Sequence, residues 1–147
     1  MLDVPALLAR HRHARVYFDS NIFIYVLGRN PDYLTICVEL MQACANEDIL
    51  GITGDVTLAE LLAKPLKEND ANAVATVRNL LVNDGAFSLI GHPRVCFEQA
   101  AALRARHKLK LVDALHLATA IHAGAACFVS HDFKFPQMPE IECLTLD

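Results

Sequence analysis

No stretch of this 147-residue chain approaches the ~18 uncharged apolar residues a membrane-spanning helix needs. There is no C-x-x-C pair among the five cysteines, no basic excess (net charge −4), and no internal repeat or linker-like tract. Each absence excludes a class of protein. Without ligand spacing, Cys37, Cys44, Cys96, Cys127 and Cys143 do not suit a zinc site or disulfide framework. They sit in apolar runs, as small hydrophobes of a reducing cytosol would. Without a basic surplus, nucleic acid cannot be held by bulk charge, so any contact must come from a local patch. The candidates are "RHRHAR" (10–15) and "RARHKLK" (104–110), although a charge run also reads as a plain solvated face. The opening "MLDVPALLARHRHARVYFD" carries its charges after an apolar patch, the reverse of a secretory signal, so a cytoplasmic protein is expected.

What is present is apolar. Residues of that type make up 54% of the chain and charged ones 20%, which suggests buried helices or faces that pair with another subunit. With no boundary visible, residues 1–147 are expected to form one domain, long enough to close a core unaided. Short β-type runs alternate with longer helical ones. Strands are expected at 15–18, 49–53, 86–90, 126–130 and 141–146. Helices are expected at 20–28, 32–46, 55–64 (stopped by Pro65), 68–83, 93–107 and 112–123. Strands separated by helices need crossover connections, so the expected fold class is α/β: a central, mainly parallel sheet flanked by helices on both faces. In such sheets, sites form beyond the carboxyl ends of the strands.

Most of the acidic residues have ordinary explanations. Asp32 lies at a helix start, Asp55 is placed to cap the helix beginning at Val56, Glu68 and Asp70 lie on a polar face, and Asp84 is in a turn. Four others do not fit so easily. Asp19 interrupts the apolar stretch "VYFDSNIFIY", and an isolated carboxylate in a core is costly. Glu60 lies in "VTLAELL", which leaves almost no polar face. Asp113 opens "VDALHLATAI", a helix apolar nearly all round. Asp132 follows the strand "CFVS" as Asp19 follows "VYF". Helix capping and loop turns are the plain alternatives for the aspartates.

Taken together, all four can emerge at one edge of a parallel sheet. Converging carboxylates repel and raise one another's pKa unless a cation intervenes. All-oxygen sites suit Mg²⁺ or Mn²⁺ and take up phosphate oxygens. That points to phosphodiester hydrolysis, with the cations polarising the ester and activating a water.

The segments "VYFDSNIFIY", "VTLAELL", "KLKLVDALHLATA" and "CFVSHDFKF", in that order, resemble the PIN-domain ribonucleases, and within them the VapC-type toxins of toxin–antitoxin pairs. The resemblance covers essentially the whole chain. It implies that Asp19, Glu60, Asp113 and Asp132 are the catalytic, metal-binding acids. Asn21, Thr57 and Ser130 match supporting positions, Ser130 standing where the family often has Thr. It also implies a Mg²⁺ or Mn²⁺ requirement, RNA cleavage, a homodimer and a small antitoxin partner. Arg104, Arg106, Lys108 and Lys110, leading into the Asp113 helix, are candidates to grip RNA phosphates. His116 reads as a packed structural histidine and is left outside the site.

Three other readings stand beside this one. A phosphatase using a D-x-D pair would need an acid where Asn21 stands. A PIN nuclease could serve RNA maturation without being a toxin. A non-catalytic domain could keep the fold to bind a partner.

Overall fold

A computed structural model of the chain describes residues 1–132 and 134–147. Five strands form one sheet: β1 (Arg15–Phe18), β2 (Leu50–Gly54), β3 (Phe87–Ile90), β4 (Cys127–Ser130) and β5 (Glu142–Thr145). Their order is β3-β2-β1-β4-β5, and every pairing is parallel. Because β1 is central and the chain departs from it in both directions, the strand order reverses there. Crevices at the carboxyl ends of strands open at such reversals.

The helices are α1 (Val4–Arg10), α2 (Ser20–Leu27), α3 (Leu34–Ala45), α4 (Asp55–Lys67), α5 (Ala71–Arg78), α6 (Arg94–Arg106) and α7 (Leu111–His122). Strand alternation divides the core into two layers. Val16 and Phe18 of β1, with Cys127 and Val129 of β4, face one side and pack with Leu7, Phe23, Leu40 and Leu61. Tyr17 and Phe128 face the other side, with Cys96, Leu103, Leu117 and Ala118 from α6 and α7. The four strand residues 16, 18, 127 and 129 and their opposite-facing neighbours are all fully buried. Sheet and flanking helices thus match the α/β expectation.

Three elements differ from expectation, each for a local reason. Residues 4–10 form a helix, because Asp3 accepts the Ala6 N–H at 2.9 Å and Pro5 lies in the first turn, where its missing N–H costs nothing. Helix α4 runs through Pro65 to Lys67 instead of stopping. Proline removes one backbone bond, and the helix resumes with the Glu68 N–H donating to the Lys64 carbonyl at 3.0 Å. The expected 68–83 helix begins only at Ala71, capped by Asp70, and then widens into a π-helical turn, Asn79–Asn83. None of the described helices is long and apolar enough to cross a membrane.

Candidate active site

Asp19 directly follows β1 and opens α2 as its N-cap. The residue is only 3% exposed. Register explains what surrounds it: Phe18 pairs with Val129, so Ser130 at the end of β4 lies alongside Asp19. The Ser130 hydroxyl donates to Asp19 Oδ2 at 2.9 Å, and the Ser20 N–H donates to Oδ1 at 2.8 Å. The Asn21 amide reaches Oδ2 at a long 3.5 Å. Burial pushes the Asp19 carboxyl above its usual range, against the pull of nearby His116 and these donors.

Glu60 projects from α4 toward the same point and is met by His116 of α7. His116 Nε2 is 2.7 Å from Glu60 Oε1 and 3.8 Å from Asp19 Oδ1. On its other side, Nδ1 is 2.7 Å from the Tyr17 hydroxyl, which accepts the Gly54 N–H at 2.9 Å. The Glu60 carboxylate can only accept, so the Nε2–H of His116 donates to it, while Nδ1 bonds the Tyr17 hydroxyl. His116 is fully buried, so this set of bonds lies behind the cleft and holds Glu60 from the core side. Burial raises the Tyr17 pKa, which keeps the phenol neutral and able to donate.

Asp113 lies in the first turn of α7, with its side chain 18% exposed. It lines an open cleft of about 390 Å³ together with Asp19, Asn21, Glu60, Lys110 and Lys134. Asp132 is outside that lining but joins it through a shared lysine: Lys134 Nζ is 2.6 Å from Asp113 Oδ2 and 2.9 Å from Asp132 Oδ2. Burial works against ionisation of Asp132, but the Lys134 N–H and ammonium outweigh it and hold the carboxyl below its usual range.

The structure therefore brings Asp19, Glu60 and Asp113 to one cleft and links Asp132 to Asp113. Thr57 makes no hydrogen bond to any of them. Its hydroxyl donates to Thr53 Oγ1 at 2.7 Å, and Thr53 donates to the Phe18 carbonyl at 2.8 Å, which braces the strand end before Asp19. Of the four basic residues leading into α7, only Lys110 lines the cleft. Arg104 donates to the Leu109 carbonyl at 3.2 Å and so holds the loop before α7, while Arg106 and Lys108 are exposed.

Sequence reasoning missed three participants: Tyr17, His116 and Lys134. His116 is separated from Glu60 by 56 residues and from Tyr17 by 99, so no local pattern links them. For Lys134 the sole sequence signal is a cation two residues after Asp132, which is unremarkable in a loop.

Among the described residues, no three His, Cys, Asp or Glu side chains stand close enough to hold an ion as they are. The donors nevertheless suit one. They are hard carboxylate oxygens, the most buried of them resists ionisation, and an ammonium already bridges two others.

Residues 16–141 match the PIN domain family. No curated protein matches the chain at the level of sequence. Several solved structures share its fold, among them the following three. VapBC2 from Rickettsia felis, bound to a DNA fragment from its promoter, is 19% identical with a TM-score of 0.69, over 90% of this chain and 99% of that one. A toxin–antitoxin complex from Klebsiella pneumoniae is 22% identical with a TM-score of 0.65, over 88% and 96%. The sarcin–ricin loop cleaving toxin VapC20 of Mycobacterium tuberculosis is 14% identical with a TM-score of 0.61, over 77% and 86%.

Proposed function

Because the chain belongs to the PIN domain family, we propose that it is a divalent-metal-dependent endoribonuclease, the toxin of a toxin–antitoxin pair. The observation that carries this reading is Asp19. It is buried, held at both oxygens, and opens into a cleft shared with Glu60 and Asp113. Nothing in a purely structural role requires three carboxylates from three different elements to face one cleft.

Asp19, Glu60 and Asp113, with Asp132 alongside, would hold Mg²⁺ or Mn²⁺, which supplies Lewis-acid polarisation of a phosphodiester and activates water. The protein's own groups do the rest. Ser130 and the Ser20 N–H fix the Asp19 oxygens, and the Tyr17–His116 chain fixes Glu60. Lys110 at the cleft rim offers a local positive charge to an RNA phosphate, which the overall acidity of the chain cannot supply.

A second groove, of about 470 Å³, runs between α2, α4 and α5, lined by Ile24, Leu27, Leu61, Pro65 and Val77, with Glu60 at its border. An apolar antitoxin segment laid there would end beside the acids. The toxin–antitoxin complexes with this fold support such a partner. The exposed apolar residues Val95, Phe97, Leu111 and Val112 leave surface for a homodimer.

The test is RNA cleavage by purified protein with Mn²⁺, compared with Asp19→Asn and Asp113→Asn. Wild type should cut, and each variant should lose about a hundredfold or more. Equal behaviour of all three would leave a non-catalytic binding module. Cleavage without growth arrest on expression, or arrest not relieved by a co-encoded neighbour, would leave a nuclease of RNA maturation.

A further inference from the structure

We propose that Lys134 is a positioning residue that occupies one cation position of the acid cluster, so that the site takes up a single divalent ion. This rests on the metal-dependent reading above. Lys134 Nζ lies 2.6 Å from Asp113 Oδ2 and 2.9 Å from Asp132 Oδ2. Among the described residues it is the one lysine or arginine paired with any of the four acids.

Its place is built into the loop. The Lys134 N–H donates to Asp132 Oδ1 at 3.0 Å, and the Asp132 N–H donates to Ser130 Oγ at 3.0 Å. The Ser130 hydroxyl in turn donates to Asp19 Oδ2. One continuous set of bonds therefore runs from the most buried acid to the lysine. The next residue, Phe135, is buried with its ring 4.7 Å from that of Phe128, which pins the loop to the core. The ammonium lies 5.9 Å from the centre of the same Phe135 ring.

Charge decides how many ions fit. Four carboxylates balance two divalent ions only where no other positive group shares them. With an ammonium resident on Asp113 and Asp132, one divalent ion brings the cluster close to neutrality. A second would meet the ammonium at short range and carry the cluster past neutrality to a net positive charge. Asp19 and Glu60, which Lys134 does not touch, then carry most of the divalent ion's coordination, with Asp113 shared between the two cations. A tethered ammonium also differs from a second metal ion in that it cannot be removed by chelation.

The experiment is a Mn²⁺ titration of the metal-stripped protein, counting bound ions by the electron paramagnetic resonance signal of the free ion. Wild type should bind one Mn²⁺ per chain, Lys134→Met two, and Lys134→Arg, which keeps the charge, one. Far-UV circular dichroism checks that each variant is folded, and Lys134→Gln replaces the Met variant should that one not fold. One ion in both wild type and the neutral variant, whatever the change in affinity, overturns the proposal, as do two ions in wild type. If wild type binds none, the metal-dependent reading itself fails and takes this inference with it.

Discussion

At the scale of single residues, the site is a set of compromises between burial and charge. Asp19 carries the sharpest one. Its carboxyl is pushed up by burial, so folding without an ion works against the ionised form. A group whose folded pKa lies above its unfolded value costs stability once the pH exceeds both, and that cost is relieved as the pH falls through the folded value. Asp19→Asn keeps the acceptor for the Ser20 N–H and removes the charge. Relieved of the buried charge, although it gives up the Ser130 bond to Oδ2, the metal-free variant should be more stable than wild type at neutral pH while losing RNA cleavage. A melting temperature that falls instead would show that the carboxylate is already compensated. Tyr17 sets the opposite case. Tyr17→Phe leaves the Gly54 N–H and His116 Nδ1 without a partner in a dry interior. It should lower stability by roughly 2 kcal/mol in urea unfolding and reduce cleavage through misplacement of Glu60, although no part of Tyr17 lines the cleft. Such residues were only half legible in the sequence. Asp19 announces itself as a carboxylate between apolar runs. His116 and Tyr17 look like ordinary core, because their meaning lies in partners distant along the chain.

At the scale of elements, what brings these residues together is the junction of β2 with α4. Gly54 ends β2 beside Tyr17 and His92, and a Cβ there would collide with the His92 ring and lie 2.7 Å from the Tyr17 hydroxyl. Gly54→Ala should therefore act on the site through two elements at once, with a larger loss of cleavage than Tyr17→Phe alone. His92, in the loop between β3 and α6, accepts the Val56 N–H at Nε2 (3.1 Å) and meets Thr119 of α7 at Nδ1 (2.7 Å). This arrangement requires the neutral ring. Burial, with His116 nearby, holds the His92 pKa below its usual value. The unfolded chain then takes up a proton that the folded chain refuses, so stability is full above the ordinary histidine range and declines as the pH falls through it. Melts at pH 7.5 and 5.5 should show that decline, and His92→Gln should flatten it; an unchanged slope would mean another group is responsible. The strands were legible because each is a short apolar burst bounded by polar residues. Pro65 misled because proline removes one bond without forbidding the helix around it. The seven-residue helix α1 was missed because it is too short to display a period.

At the scale of the whole molecule, the acids come from both halves of the chain, and only the folded sheet unites them. Asp19 and Asp132 follow the central strands β1 and β4, Glu60 lies on the crossover after β2, and Asp113 opens the helix that leads into β4. An ion bound across them therefore binds the folded state and not the unfolded chain, and mass action converts its affinity into stability. At a hundredfold excess over the dissociation constant the gain is about 2.7 kcal/mol, or roughly 5–10 °C in a domain of this size. Mn²⁺ should raise the wild-type melting temperature by that order, and a chelator should reverse it. In Asp19→Asn the same addition should do little. Wild type is then expected to be the less stable of the two without metal and the more stable with it, so that the order of their melting temperatures exchanges. A general tightening by salt would shift both proteins alike, and an ion held by other acids would leave the variant just as responsive. Only a site in which the buried aspartate both opposes folding and receives the ion produces the exchange.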